Sequence, residues 1–425
     1  MNTLIKNAMV LFSDGTVKES DIAISEDIIQ EVGVISQEFH ADTVIDAKNK
    51  LALPGFINAH THASMTLLRN YADDMNLMDW LTKEIWPIEA KMQEDDIYWG
   101  AMLAAVEMIK SGTTAFVDMY GPNMEKVADA VDVSGMRAVL SRGIIGVADG
   151  DKKLEENISL YHDYHNACDG RITVMFGPHA LYTCSPDFLK KVAKEAAKVG
   201  AEIHIHMSET MGEVENCLKD YGKRPFAHVE STGLFELGTL AAHCVWLDDE
   251  DIEIIKRHDV RIAHNPGSNM KLASGVAPVQ RLLDEGVCVA LGTDGASSNN
   301  NLDMLQEIQL AALLGKVHTL DPLNVSAWSA VQMGTMNGAK AVGISDIGRI
   351  EAGCKADIIL MSMQGADWYP RHNLIAHLAY GANSSAVDTV MVNGKLLMEK
   401  RRLLTLDEER ICYEAERVAK NLAAK

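Results

Sequence analysis

No run of about eighteen apolar residues occurs in this chain, so no segment reads as a membrane-crossing helix. The opening stretch, MNTLIKNAMVLFSDG, is too short and too interrupted for a secretory signal. Positive charge is scarce: 39 Lys and Arg stand against 60 Asp and Glu, a formal net charge of −21. A surplus of that sign argues against a nucleic-acid backbone as partner. The cysteines are few and odd in number (Cys168, Cys184, Cys217, Cys244, Cys288, Cys354 and Cys412), and no C-x-x-C pair occurs. This argues against a disulfide framework and a thiolate metal site, and it suits a reducing compartment. Low-complexity tracts and blocks of like charge are absent as well. The expectation is a soluble cytoplasmic protein acting on a small molecule, without membrane or nucleic acid among its partners.

What the chain does contain is alternation. It has 425 residues, too many for one ordinary core, so a large α/β unit with a smaller companion is expected. Both ends are rich in strands. "TLIKNAMVLF" and "DIAISEDIIQEVG" near the start, and "ADIILMSM" and "VDTVMVNGKLLMEK" near the end, carry β-branched residues. Ser13-Asp14-Gly15 and Asn393-Gly394 read as turns. A helix is expected over 407–425. Between the ends, eight short apolar runs alternate with helical patterns such as "SPDFLKKVAKEAAKVG". The runs are "LALPGFINAH", "TAFVDM", "RAVLSRGII", "RITVMFGPH", "AEIHIHMSE", "GTLAAHC", "VRIAHNPGS" and "VCVALGTDG". That order fits a (β/α)8 TIM-like barrel; a doubly wound open sheet is the alternative. No G-x-G-x-x-G follows any run, so a dinucleotide site has no support. The expected division is a small β-sandwich domain from residues 1–55 and 347–425 and a catalytic barrel over 56–346.

Barrels of this kind place their active sites at the C-terminal ends of the strands. Those ends carry His60 and His62, Asp118, Arg142, His179, His204 with His206 and Glu209, His243, His264 with Asn265, and Asp294. On an extended strand residues i and i+2 share a side, so His60 and His62 aim at one spot. Alone, they would equally be two solvated histidines. Barrel closure, however, brings the eighth strand beside the first, and His206 and Asp294 can reach the same spot. Three imidazoles and a carboxylate suit a borderline divalent ion such as Zn²⁺, with a position left for water. Such an ion lowers the pKa of its water from about 15.7 towards roughly 7. His204 shares the face of His206, but His206 lies nearer the strand end and is the expected ligand. Glu209 can shuttle a proton; its plain alternative is a glutamate opening a helix. His243 can hold the attacking water, against the alternative of a core histidine, and Asp294 can take the proton.

Together "PGFINAHTH", "HIHMSE", "AAHC", "HNPGSNMKLASGVAPV" and "LGTDGASSNNNLDML" resemble the amidohydrolase superfamily. Within it, the chain is most similar to the branch of 5-methylthioadenosine/S-adenosylhomocysteine deaminases, close to chlorohydrolases and guanine deaminases. The likeness runs nearly the whole length, including "GRIEAGCKADIILM" and "VMVNGK". It implies metal ligation by His60, His62, His206 and Asp294, with Glu209 as proton shuttle and His243 as orienter of the water. Binuclear relatives end the fourth strand in a carboxylated lysine. Here Gly177-Pro178-His179 stands there, which implies one divalent ion per subunit, Zn²⁺ with Fe²⁺ or Mn²⁺ as alternatives.

The resemblance also implies substrate contacts. Glu89, in "MDWLTKEIWPIEAKM", is similar to a residue that pairs with ribose hydroxyls. Trp80 and Trp86 could wall a purine pocket. His179 resembles a histidine that touches base or sugar. Arg142 resembles an arginine that reaches a neighbouring subunit's site, which implies a homo-oligomer, a dimer or tetramer. Before "LEEN", where several relatives carry an arginine suited to a homocysteine carboxylate, this chain has Lys152-Lys153. Lysine lacks the planar fork, so Lys153 would be a weaker carboxylate clamp. The implied reaction is hydrolytic deamination at C6 of an adenine nucleoside: adenosine, 5′-deoxyadenosine, 5′-methylthioadenosine or S-adenosylhomocysteine. The same site could instead act on guanine, a pyrimidine or a chlorotriazine, and a barrel kept only as a scaffold is the non-enzymatic alternative.

Overall fold

The stretch 51–60, continuous by its sequence, changes sheets at Gly55. In the computed structural model, which describes residues 1–424, β5 (Lys50–Pro54) belongs to one sheet and β6 (Phe56–Thr61) to another. The Gly55 N–H donates to the Asp357 carbonyl at 3.0 Å. A Cβ at Gly55 would stand 2.1 Å from Thr114 Oγ1, so only glycine lets the two strands pass so closely.

The first sheet is built from both chain ends. β1 (Asn2–Leu11), β2 (Val17–Ser25), β3 (Ile28–Gly33), β4 (Thr43–Asp46) and β5 come from the start. β15 (Ile358–Ser362), β16 (Val387–Val392), β17 (Lys395–Glu399) and β18 (Arg402–Leu403) come from the end. The order is β18-β17-β16-β15-β5-β1-β2-β3, with β4 beside β1. β5 and β15 pair antiparallel, Leu53 opposite Ile359, and so join the two ends. Ile5, Val10, Ile22, Ile24, Ile29, Ile358 and Leu360 form a core belonging to this sheet alone, as β-branched and aliphatic strand residues do on a half-buried surface.

The barrel strands are all parallel. β6, β7 (Thr113–Tyr120), β8 (Arg137–Ile144), β9 (Ile172–Val174) and β10 (Gly177–Pro178) form one arc. β11 (Ile203–Met207), β12 (Thr239–His243), β13 (Arg261–His264) and β14 (Val289–Leu291) form the other. Two seams close the ring. At one, His204 N donates to Phe176 O at 2.9 Å and His206 N to His179 O at 3.0 Å. At the other, Asp294 N donates to His60 O at 2.9 Å. β9 and β10 are two halves of one interrupted strand, so the ring counts eight. Ile57, Val117, Val139, Leu240, Ala263 and Ala290, from opposite sides of the ring, pack in one cluster, a filled core and not a pore.

Helices cover the outside. In Pro186–Val199, Ser185 Oγ caps the first turn by accepting from Phe188 N, and Gly200 ends the helix in the left-handed region. Its buried face is Leu189, Val192, Ala193 and Ala196, a 3.6-residue repeat. The C-terminal helix, Glu408–Ala424, buries Ile411, Ala415, Val418 and Leu422 in the same way. Among the described residues no helix is long and apolar enough to cross a membrane. The long connection from β6 to β7 includes a wide π-type turn, Trp80–Ile85, running into the short helix Trp86–Glu89. This connection lies over the mouth of the barrel, the end where the histidines cluster.

Candidate metal centre and its cavity

Four imidazoles point their Nδ1 atoms outward and their Nε2 atoms inward. His62 Nδ1 donates to Met119 O at 2.5 Å, and His206 Nδ1 to His179 O at 2.7 Å. His243 Nδ1 donates to Asn269 Oδ1 at 2.9 Å, and His60 Nδ1 shares a proton with His204 Nε2 at 2.9 Å. Outer partners of this kind set the tautomer and leave Nε2 as a lone pair, as metal-binding histidines require. Asp294 Oδ1 lies 3.4 Å from His60 Nε2 and 3.2 Å from His62 Nε2. Ligand atoms of His60, His62 and His206 lie within 4.8 Å of one another, as do those of His60, His243 and Asp294.

The donor set fits a divalent cation. His60 Nε2 is buried and has no hydrogen-bond partner. Burial lowers the proton affinity of His60 to about 4 and holds His206 well below its ordinary value, so both favour the neutral, ligating form. For Asp294, burial pushes upward, but the neighbouring His60 and His62 imidazoles outweigh it and hold the carboxyl well below the carboxylate range. His62 differs. Burial lowers it, yet Asp294 and the Met119 carbonyl prevail and raise it to about 9. The cluster thus calls for positive charge beside Asp294; a proton on His62 supplies one, and a bound cation would supply more.

The strand ends are bent to bring these groups together. Ser208, His243, Cys244 and Asp294 all have positive φ, at 49°, 74°, 49° and 62°. Left-handed backbone in non-glycine residues is uncommon and gathers at functional sites. Neighbouring side chains hold it. Glu213 accepts from Ser208 N at 3.0 Å and Glu209 N at 2.9 Å. Asp294 accepts from Gly295 N at 2.8 Å, Ser268 Oγ at 2.6 Å and Ser298 Oγ at 3.0 Å. Asp118 Oδ1 accepts from Ala63 N at 2.7 Å, fixing the turn after His62.

Glu209 is buried, with Oε2 3.8 Å from His243 Nε2 and Oε1 3.3 Å from Ser274 Oγ. Burial raises its proton affinity against the opposing pull of His243. A carboxyl of this kind carries a proton more readily than a solvated one.

A cavity of about 670 Å³ opens above the cluster, and His62, His206, Glu209, His243 and Asp294 line it. So do Glu89, Arg142, Lys153, His179, Trp80 and Trp86. Leu77, Leu81, Ile145 and Val147 make much of the remaining wall apolar. Every residue singled out from the sequence for substrate contact therefore reaches one cavity. Glu89 Oε1 accepts from Tyr120 Oη at 2.6 Å. His179 Nδ1 pairs with Thr183 Oγ1 at 3.1 Å. Trp80 Nε1 donates to Ala72 O at 3.1 Å.

Arg142 lines the cavity of its own chain. Its Nε donates to Glu156 Oε2 at 2.7 Å and its Nη1 to Gly143 O at 2.7 Å. Lys153 is half-buried, and burial and the nearby Arg142 lower its proton affinity. His264 is buried at its strand end and does not line the cavity. His204 sits behind His60.

Tyr120, Glu213, Ser268, Ser298 and Asn269 escape sequence reasoning. Of these only Glu213 leaves a trace, as the third residue after the helix-capping Thr210, whose Oγ1 accepts from Glu213 N.

Comparison with known proteins agrees with this geometry. The Amidohydrolase family pattern matches residues 51–397. A 5-methylthioadenosine/S-adenosylhomocysteine deaminase of Pelotomaculum thermopropionicum is 53% identical over 428 residues, 99% of each chain. A deaminase of the same name from Dictyoglomus thermophilum is 51% identical over 426 residues, 100% of each. An adenosine deaminase from Xanthomonas campestris, solved with bound zinc, matches with a TM-score of 0.95 at 30% identity, covering 100% of this chain and 99% of that one. An atrazine chlorohydrolase from Arthrobacter aurescens, complexed with zinc, matches at 0.91 with 25% identity, covering 98% and 100%. A match across most of the sequence, with relatives at half identity end to end, makes this chain a member of the amidohydrolase family.

Proposed function

We propose that the chain is a metal-dependent deaminase that replaces the 6-amino group of an adenine nucleoside with oxygen, releasing ammonia and the inosine analogue. The observation that carries this reading is one cavity with two differently equipped regions: the imidazole–carboxylate cluster with Glu209, and Glu89. The first suits hydrolysis at an electron-poor ring carbon. The second offers a half-buried carboxylate to sugar hydroxyls. The deaminase relatives support the same reading.

His60, His62, His206 and Asp294 would hold one divalent ion; zinc in the two solved relatives supports Zn²⁺. A bound ion of this kind supplies Lewis acidity that makes water nucleophilic near neutral pH. The chain's own residues do the rest. Glu209 in its protonated form gives its proton to N1 of the purine, which draws electron density from C6. His243, fixed by Asn269, orients the attacking water by accepting a hydrogen bond from it at Nε2. Asp294 accepts one proton from that water and passes it to the departing amine, and the second proton of the water returns to Glu209 as the C6 carbonyl forms. Residues 56–346 would form this catalytic unit, and residues 1–55 with 347–425 the companion domain.

Within the substrate class, we infer that adenosine, 5′-deoxyadenosine and 5′-methylthioadenosine serve at least as well as S-adenosylhomocysteine. Arg142 is already committed to Glu156 and Gly143, and Lys153 is a point charge without a fork. Ammonia release and loss of the adenine absorption band, measured over this panel with metal content on the same sample, test both statements. Activity only on guanine or a triazine would reject the nucleoside reading. A marked preference for S-adenosylhomocysteine would reject the ranking. Glu209→Gln should retain metal while turnover falls by roughly 10²–10⁴-fold; unchanged kcat would remove Glu209 from its role.

A further inference from the structure

Tyr120 ends β7 and is buried, with 6% of its surface exposed. Its hydroxyl donates to Glu89 Oε1 at 2.6 Å and lies 3.4 Å from Met92 Sδ. That length is typical of an O–H bond to a charged oxygen. Glu89 closes the short helix Trp86–Glu89 over the barrel mouth and lines the cavity. Among the described residues it has no ion-pair partner, and Tyr120 is the one side chain bonded to it. Burial favours the protonated form of Glu89; the Tyr120 hydroxyl and the charges of His62 and Arg142 oppose this.

A carboxylate has about four lone-pair positions on its two oxygens. Tyr120 fills one of them, on Oε1. Oε2 and the second position on Oε1 remain, enough acceptors for the two hydroxyls of a vicinal diol. A carboxylate turned by a fixed donor offers those positions in one orientation; a free one rotates about its last bond and loses this advantage.

We propose that Tyr120 is a positioning residue that sets Glu89 to receive both ribose hydroxyls, and through it sets the enzyme's preference for ribonucleosides over 3′-deoxyribonucleosides. The inference rests on the reading of Glu89 as the ribose partner. A site built to bond a hydroxyl rejects an analogue that lacks it, because its own polar group is left unpaired. The preference is therefore a property of Glu89 and its holder together.

The test compares adenosine with 3′-deoxyadenosine as substrates, and inosine with 3′-deoxyinosine as ligands read by titration calorimetry. Wild type should favour the ribo form in both. Tyr120→Phe removes one oxygen and keeps the ring; it should reduce the ribo/deoxy ratio by about tenfold, mainly through KM for adenosine. In a Glu89→Gln background, Tyr120→Phe should change the ratio no further. Met92→Leu, which alters the packing but keeps the hydroxyl, should preserve the wild-type ratio and controls for packing. A Tyr120→Phe protein that keeps the full ratio, or loses activity on both substrates by the same factor, would overturn the inference. Absence of any ribo preference in wild type would instead overturn the reading of Glu89, and this proposal with it.

Discussion

Glu213 grips the backbone of Glu209. Its Oε2 accepts the Glu209 N–H at 2.9 Å while Oε1 accepts that of Ser208 at 3.0 Å, and the strand end between them is bent into left-handed conformation. Glu209, the proposed proton carrier, is thus aimed by a second carboxyl that does not line the cavity. Replacing Glu213 with alanine frees both N–H groups. Turnover should fall by roughly 10²-fold, the usual cost of misplacing a reacting group by about an ångström. Metal content, measured on the same sample, should stay at the wild-type level; a parallel fall in both would show a wider collapse.

His204 is the outer partner of His60. Outer partners of metal-binding histidines are worth roughly 10–100-fold in metal affinity. His204→Phe keeps the bulk and removes the nitrogen, so metal should be lost at 10–100-fold lower chelator concentration than in wild type. His204→Gln, which keeps a polar end, should lose less. Equal affinity in all three proteins would reduce His204 to packing.

Glu307 predicts a pH dependence of stability. It is fully buried, and burial raises its carboxyl from the ordinary 4.5 to about 8, against the Gly267 N–H and Asn299 bonds that pull it down. The folded state therefore binds the proton more tightly than the unfolded one. Its contribution is fully present below about 4.5 and is lost as pH rises through about 8. Glu307→Gln cannot titrate. The difference in Tm between metal-free wild type and this variant should move in favour of the variant as pH rises across that window. A constant difference would show that Glu307 does not change its protonation there.

Asp357 and Arg137 join the barrel to the terminal sheet. Arg137 Nε and Nη2 donate to Asp357 at 3.0 and 3.2 Å, Nη2 also donates to Asn393 Oδ1 at 2.5 Å, and both charged side chains are buried. Breaking such a pair leaves a buried charge uncompensated and costs about 3–5 kcal/mol. Denaturant unfolding of Asp357→Ala should show a loss of that size. A loss under about 1 kcal/mol, the level of a surface pair, would mean that water reaches the guanidinium.

Strand period and strand ends carried most of what the sequence could say. His60 and His62 share a face because their spacing is two, and His206 follows from the same rule on β11. Asp294 needed only the closure of a ring. What stayed hidden depends on contacts between distant residues. Gly55 splits an apolar run because Thr114 leaves no room for a side chain, and nothing local marks that crowding. His243 is turned by a positive φ that a strand pattern does not contain. The hold of Glu156 on Arg142, fourteen residues on, is likewise invisible in the sequence. Tyr120 and Glu89, thirty-one residues apart, meet only in the folded chain.

The seam between β14 and β6 has a consequence for the order of events during synthesis. His60 and His62 leave the ribosome early, and Asp294 follows only after most of the barrel has been made. Until β14 closes against β6, the imidazoles have no carboxylate and the ring has a gap. A growing chain therefore cannot assemble the full proposed set of ligands, and an ion offered too soon would meet His60, His62 and His206 without Asp294. Loading of the proposed site would wait for the last strand, and a bound ion would fasten the first strand to the last, like a buckle on a belt.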